Sequence, residues 1–437
     1  MNDAGRTARV AILAALIISL IVTGTTRARA QANDRSSPLG GRSALMGNTG
    51  IALGRDGAAP FLNPATVVGI NDRRLAFSVN FLALQINHFK DWHQPSSVDP
   101  RFGELSLDDR SISSSRITTV PSTVCLFLSL SALKEPAATP AGTPSDDPTP
   151  WKGGHQKFAI CVGTLESEDL AVPARSVHAP TSVGTTAQDV SLSRKWNRVQ
   201  VGPSYSAQVN DKLALGASLH VAYTTLSFIQ DAASITSTND GSAVQTSLGA
   251  AGNGSSIDLT AILGATYQLG GVTLGASIQI PSLHLFGNYE ATLHQAFEAA
   301  TDSAATMARG SGSFRAKPPV RIAVGAGKAF ERFTVEADAS FTFGYSEGLA
   351  STMHVDTTTT TNNALTTSTF DATYVARTLP TLNAAVGGEY FMSPRLSVLG
   401  GLWTNLSPFA ALSPEPAPSL GNLVQGRSHR LGLSLGL

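Results

Sequence analysis

The sequence has little charge and few cysteines. Asp, Glu, Lys and Arg make up 14% of the 437 residues and hydrophobic residues 42%, whereas charged residues average about 25% in soluble domains. Such a composition suggests a surface that does not face water everywhere. The formal net charge is zero and no basic run occurs, which argues against nucleic acid as a partner. Two cysteines are too few for a disulfide framework.

Several motifs of enzyme chemistry are also missing. The sequence contains no H-E-x-x-H, P-loop or Cys-x-x-Cys motif, and its nine histidines are dispersed. These motifs are the usual attachment points for a metal, a nucleotide or a redox reaction. We therefore expect no cofactor, no metal site and no enzymatic activity.

The N-terminus reads as an export signal. Arg6 and Arg9 precede an apolar run over 10–22, and Ala28-Arg29-Ala30 supplies a cleavage site of small residues. A membrane anchor is the alternative, but the run is shorter than the ~20 residues that span a bilayer. We predict a signal peptide over residues 1–30, removed after Ala30.

The rest of the chain alternates apolar and polar residues with period two. Between Phe333 and Tyr345, apolar and aromatic residues interleave with Thr334, Glu336 and Asp338, as in strands that bury one face. The same alternation occurs in residues 213–223, 257–267, 272–280 and 431–437.

Alternation alone fits a soluble β-sandwich as well as a transmembrane β-barrel, so the connections decide between these two architectures. Very short turns occur at residues 210–211, 270–271, 331–332 and 393–394, and between them lie Ser-, Thr- and Gly-rich stretches at 229–254, 296–311, 346–367 and 406–427. Short turns on one side and long loops on the other are typical of outer-membrane barrels. The pattern predicts an all-β, antiparallel transmembrane barrel over residues 73–437, with twelve assignable strands.

The two cysteines flank a proline-rich insert at residues 132–156. Cys125 and Cys161 fall on the same inner face of neighbouring predicted strands. Export to an oxidising compartment would allow them to pair. The long insert between the strands leaves the register open, so a disulfide and two free thiols both stay possible.

Four stretches of the sequence form a recognisable set: the Gly- and Ala-rich stretch 41–53, Asn63-Pro64-Ala65, residues 387–390 and the terminal stretch 428–436. This set resembles the motifs of the outer-membrane long-chain fatty acid transporters, the FadL-like family. Read alone, Asn-Pro-Ala is a capped turn in which Pro fixes φ.

The resemblance implies a fourteen-stranded barrel with an N-terminal hatch inside its lumen, here residues 31–72 and including Asn63, Pro64 and Ala65. It implies passive outer-membrane transport of hydrophobic small molecules, long-chain fatty acids above all, with outer-membrane lipid around a monomer. We accordingly expect 12–14 strands. Two rival functions stay open: a structural or adhesive surface barrel, and a general porin.

Six charged or titratable residues fall on predicted inner faces. A lone inward histidine is more often a hydrogen-bonded wall residue than a ligand, and inward ion networks commonly just stiffen a barrel, because buried charge requires partners whatever the function. The candidate lumen residues are His220, Arg321, Glu336, Asp338, Glu389 and Arg430.

Overall fold

Nearly all of the described chain is β-strand, joined into one antiparallel sheet. The computed structural model describes residues 38–70, 74–89, 112–130, 156–181, 184–238, 241, 243–298, 303–345, 349–361, 364–376, 378–393, 396–406 and 429–437. The predicted signal peptide and most of the proline-rich insert lie outside this part. The strands are β1 Arg74–Phe89, β2 Ile112–Ser129, β3 Gln156–Thr181, β4 Gly184–Asn210, β5 Leu213–Thr238, β6 Ala243–Leu269, β7 Val272–Gln279, β8 Leu283–Glu298, β9 Ser303–Ala316, β10 Arg321–Ala329, β11 Phe333–Thr342, β12 Leu349–Thr361, β13 Ala364–Ala376, β14 Thr381–Ser393, β15 Leu396–Asn405 and β16 Arg430–Gly436. The predicted all-β antiparallel class is confirmed.

Within the described residues the sheet counts sixteen strands, more than the expected 12–14. A main path of twelve strands runs β1 to β7, then β10, β11, β14, β15 and β16. The other four are continuations: β8 follows β7 and pairs with β6, and β9, β12 and β13 extend the sheet beside it. The chain thus runs along the sheet four times as two strands in succession instead of one. The period-two pattern of the sequence continues across these interruptions and therefore does not show them.

Prolines mark three of the four interruptions. Pro281 separates β7 from β8, Pro319 separates β9 from β10, and Pro380 precedes β14. Proline cannot donate a ladder hydrogen bond, so strands tend to end at it. Side chains bond across the breaks instead: Gln279 donates to the Pro319 carbonyl (3.0 Å), and the Val320 amide donates to the Tyr345 hydroxyl (3.2 Å).

Three of the predicted long loops are in fact strands. Residues 229–254, 296–311 and 346–367 lie mainly in β5, β6, β8, β9, β12 and β13, while nearly all of 406–427 lies outside the described residues. Threonine favours strands, and paired hydroxyls stabilise neighbouring strands. Thr306 and Thr359, opposite each other on β9 and β12, bond at 3.1 Å.

The outer face carries an apolar band that ends at one level. On β5 the outward residues are apolar or aromatic from Leu213 to Tyr223, and Thr225 follows. Tyr223 is opposite Ile257 of β6, and Thr225 is opposite Ser255. Apolar residues therefore give way to polar ones at the same height on both strands. We call the part of the sheet beyond this level the extension.

Residues 38–70, the N-terminal segment, pack against the inner face. This segment contains α1 Arg42–Leu45, α2 Ala59–Leu62 and a 3-10 helix Pro64–Gly69. It touches the first strand through Gly41 and Ser78 and the last through Ser434, which donates to the Leu45 carbonyl (2.9 Å). A sheet whose first and last strands meet one short segment is curled around it, so the fold is a barrel. Within the described part, no helix is long and apolar enough to cross a membrane.

A disulfide joins Cys125 of β2 to Cys161 of β3, which decides between the two possibilities that the sequence left open. The two residues are directly opposite in the strand register, with their Cα atoms 4.2 Å apart. Both side chains are buried beneath the N-terminal segment, in one apolar cluster with Phe61 and Leu62.

Candidate functional site

Glycines on the inner face form the seat of the N-terminal segment. A Cβ added to Gly264, Gly275 or Gly387 would lie about 2 Å from an oxygen of the segment. Side chains at these positions would clash with the segment. The glycines therefore allow the segment to pack directly against the inner face of the sheet. Further wall glycines that meet the segment are Gly163, Gly216, Gly325, Gly327, Gly401 and Gly436. Sequence reasoning missed this seat, although glycine on the inward positions of alternating strands was a readable signal.

Asn63 organises the middle of the segment. Its side-chain oxygen accepts from the Ala65 amide (3.1 Å) and caps the 3-10 helix that begins at Pro64. Its side-chain nitrogen donates to the carbonyls of Ile51 (2.7 Å) and of Ala265 on β6 (3.0 Å). The capped turn is therefore present, and Asn63 also fastens the segment to the wall. The chain stays buried through Ile70.

Two inward carboxylates of β11 bind four consecutive backbone amides of the segment. Asp338 accepts from Gly50 (2.9 Å) and Ile51 (3.1 Å), and Glu336 accepts from Ala52 (2.7 Å) and Leu53 (3.0 Å). Both side chains point inwards, as predicted, and there they hold a turn of the N-terminal segment.

Glu389 and Arg321 also bind the segment. Glu389 of β14 pairs with Arg42 at 2.7 Å. Arg321 of β10 donates to the Phe61 carbonyl (3.3 Å). In the register Arg321 is opposite Thr342, while Asp338 and Glu336 are opposite glycines.

His220 and Arg430 complete the six candidates. His220 is fully buried on β5, and its ring stacks on Phe61 of the segment with centroids 4.8 Å apart. Neither ring nitrogen has a hydrogen-bond partner in the described part of the chain, contrary to the expectation of a hydrogen-bonded wall residue. Arg430 pairs with Glu168 of β3. Five of the six candidates thus contact the N-terminal segment, and the sixth binds the wall.

A layer of buried polar groups lies on the inner face above the segment. Glu166 binds Arg198 (2.6 Å) and the Trp196 indole N–H (2.5 Å). Arg198 also reaches the Ala316 carbonyl of β9 (3.2 Å), which shows how tightly the sheet is curled here. Glu168 binds Arg194 (3.0 Å) in the same layer.

Ser256, Asp258 and His284 cluster in this layer without the geometry of a catalytic triad. Ser256 donates to Asp258 (2.7 Å), and the same ring nitrogen of His284 faces both Asp258 (3.1 Å) and Ser256 (3.3 Å). A nucleophile needs the second ring nitrogen for its proton. No group of three or more His, Cys, Asp or Glu in the described ranges is placed to hold a metal ion.

The spacing G-x-S-x-G occurs twice, at residues 344–348 and 432–436. A nucleophile elbow requires a sharp turn from strand to helix. Ser434 instead lies within β16 and binds the N-terminal segment, and Ser346 lies outside the described residues.

An apolar cluster lines the inner face of the extension. Its aromatic members are Trp196, Phe228, Tyr289 and Phe314, each at most 7% exposed, and Met353 of β12 joins them. The rings of Tyr289 and Phe314 stack with centroids 5.9 Å apart. Arg194 of the polar layer is directly opposite Phe228 of this cluster, so apolar and charged side chains share this part of the inner face.

A small cavity of about 60 Å³ lies beside the segment where β14 and β15 part. It is lined by Asn48, Asp338 and Trp403 on the inside and by Ala384 and Thr404. The ladder between the two strands ends at Ala385 and Trp403, and beyond it the Thr404 hydroxyl bonds the Ala384 backbone (2.9 Å).

These features define a class: a β-barrel with an apolar outer band, an N-terminal segment seated in its interior and, beyond that segment, an inner face that carries both an apolar cluster and buried ion pairs. No family model matches the sequence, and no curated protein matches it. The chain is similar to several solved structures. Three of them are the Pseudomonas putida toluene transporter TodX (13% identity, 86% of this chain and 93% of that chain, TM-score 0.42), the Ralstonia pickettii toluene transporter TbuX (14%, 85% and 94%, 0.42) and a Pseudomonas aeruginosa FadL homologue (14%, 88% and 84%, 0.43). At such identities the function has to be argued from this chain's own side chains.

Proposed function

We propose that the protein passively transports hydrophobic small molecules across the bacterial outer membrane. The observation that carries the proposal is the apolar cluster around Phe228 and Phe314 on the inner face of the extension. A pore for sugars or ions has no use for such a cluster. The cluster gives a hydrophobic solute a path on which it stays out of water.

The outer face supports a membrane location. The apolar stretch over 213–223 of β5 has the length of a transmembrane strand, which needs about 9–11 residues. Leu215, Leu219 and Tyr223 are each more than 40% exposed on it. In water such a surface would be an aggregation hazard, whereas in a bilayer it faces lipid.

The N-terminal segment acts as the hatch. It fills the interior at the level of the apolar band and is held by Glu336, Asp338 and Glu389. A general porin would need an open wet channel at this level, so the segment favours gated transport. No energy source is required, because the solute moves down its own gradient.

The gap between β14 and β15 is the proposed sideways exit into the membrane. The cavity there touches both the segment, through Asn48, and the outward residues Ala384 and Thr404. A hydrophobic solute that passes the segment at this point meets lipid directly.

Uptake by cells tests the proposal. A Gram-negative strain without its own hydrophobic-solute channels would express the wild type, the deletion 35–65, or Phe228→Ser with Phe314→Ser. Ile235→Ser, on the outward face of the extension, is the control. We expect the wild type and the control to take up labelled oleate or toluene, and the double variant to lose most of that uptake.

The relative rates for oleate and toluene would separate fatty acids from aromatic hydrocarbons as substrates. Hydrophobic uptake no faster than in the empty strain would contradict transport. It would favour a structural or adhesive barrel, whose contact surface would be the Thr-rich strands β12 and β13.

A further inference from the structure

Three fully buried polar side chains on the inner face have no hydrogen-bond partner among the described residues. They are Gln200 of β4, His220 of β5 and Thr260 of β6, each at most 1% exposed. Both polar atoms of the Gln200 amide, both ring nitrogens of His220 and the Thr260 hydroxyl oxygen are unpaired. Buried polar groups nearly always have partners, so such a concentration requires an explanation.

The strand register brings the three together. His220 is directly opposite Thr260, and Gln200 is opposite Ala222, two residues along β5 from His220. Between Gln200 and Ser204 the inner position is Gly202, whose added Cβ would lie 2.9 Å from the His220 Cα. The three side chains therefore form one patch, which we call the polar patch. It lies between the polar layer and the N-terminal segment.

The ring of Phe61 covers the polar patch. It stacks on His220 (4.8 Å between centroids, 20° between planes) and is itself fully buried. It also lies against Gly163, where an added Cβ would be 2.8 Å from the ring, and Gly163 is opposite Gln200 in the register. An apolar ring of the hatch thus occupies the place where hydrogen-bonding groups would be expected.

The chemistry of the patch limits what could replace the ring. It contains no carboxylate, ammonium or guanidinium, and the neighbouring charges are paired, Asp258 with His284 and Arg198 with Glu166. An amide, an imidazole and a hydroxyl together can both donate and accept. They suit a ligand with an uncharged hydroxyl or carbonyl, and the space that Phe61 fills suits a ring.

We propose that Gln200, His220 and Thr260 form a subsite for the polar end of an uncharged amphiphile, a phenol-like ring above all, which binds there in place of Phe61. The inference rests on the proposed transport function and names its substrate class. A purely hydrocarbon ring would leave the patch unpaired, as Phe61 does, so the subsite selects for the hydroxyl.

Fluorine NMR titrations of the full-length protein in detergent micelles test this, with 4-fluorophenol and 4-fluorotoluene as probes. The ligands are nearly the same size and differ in the hydroxyl. We expect the wild type to bind 4-fluorophenol at least tenfold more tightly. Gln200→Leu with His220→Phe should weaken that binding tenfold or more and leave 4-fluorotoluene unchanged.

Two further variants make the result specific. Phe61→Ala removes the cover and should strengthen 4-fluorophenol binding several-fold. Thr342→Val removes another unpartnered inner hydroxyl, outside the patch, and should change neither affinity. Heat-dependent gel mobility reports folding, and the single variants Gln200→Leu and His220→Phe replace the double variant if it does not fold.

Equal affinities of the wild type for both ligands, or a hydroxyl preference that survives the patch variants, would overturn the inference and leave transport standing. If the wild type binds neither ligand, the subsite fails, whereas the transport proposal fails only if oleate and toluene are not taken up.

Discussion

Arg42 and Glu389 are 347 positions apart in the sequence, and their side chains meet at 2.7 Å. The first belongs to the N-terminal segment and the second to β14. Glu389→Gln should therefore reduce the free energy that holds the segment in place by on the order of 1–3 kcal/mol, the usual contribution of a hydrogen bond to a charged group.

Single-channel conductance in planar bilayers measures the loosening as more frequent openings. The charge swap Arg42→Glu with Glu389→Arg should restore closure. If Glu389→Gln and the wild type open equally often, the pair does not hold the segment.

Neighbouring glycines of β14 allow a matched test of the glycine seat. An added Cβ at Gly387 would lie 2.0 Å from the Met46 carbonyl oxygen, whereas at Gly388 the nearest atom is 3.5 Å away. Gly387→Ala should displace the segment and make it sensitive to added protease, and Gly388→Ala should not. Equal protection of the segment in both variants would show that the close approach is not needed.

The membrane level can be tested on one face of one strand. Leu219 and Ile229 both point outwards from β5, with 47% and 53% of their surface exposed, but only Leu219 lies inside the apolar band. Leu219→Arg should cost about 2–4 kcal/mol of folding free energy near the bilayer midplane, and Ile229→Arg about 1 kcal/mol or less. Folding titrations in lipid vesicles measure both, and similar costs would mean that the band does not mark the membrane.

The proposed exit can be closed by a reversible bond. Ala384 and Thr404 follow the last paired residues of β14 and β15 and already touch, so Ala384→Cys with Thr404→Cys should form a disulfide across the gap. Uptake of hydrophobic solutes should fall severalfold when the bond forms and recover on reduction. Uptake that is indifferent to the bond would place the exit elsewhere.

Local patterns predicted the wall well. The alternation over 333–345 gave the correct inward orientation of Glu336 and Asp338, because period two has one geometric solution in a strand. The sequence placed Cys125 and Cys161 on one face of neighbouring strands, but only the register of β2 and β3 shows that they pair. The extent of the strands was misjudged, because Ser- and Thr-rich segments read as loops until their cross-strand partners are known.

The interior could not be predicted in the same way. Gln200 and Thr260 lie on different strands, and both reach His220 only through the pairing of β4 and β6 with β5. Phe61 reaches the patch from a segment that has no alternation at all. Contacts of this kind depend on where the whole segment sits.

The length of β5 has a consequence for where solutes are collected. From Tyr223 to the strand end at Thr238 the chain advances roughly 50 Å at about 3.3 Å per residue. The mouth of the barrel thus stands well clear of the lipid head groups. The mouth therefore samples the surrounding medium rather than the bilayer surface. The capture rate should accordingly follow the concentration of solute dissolved in water and not the amount already partitioned into the outer leaflet.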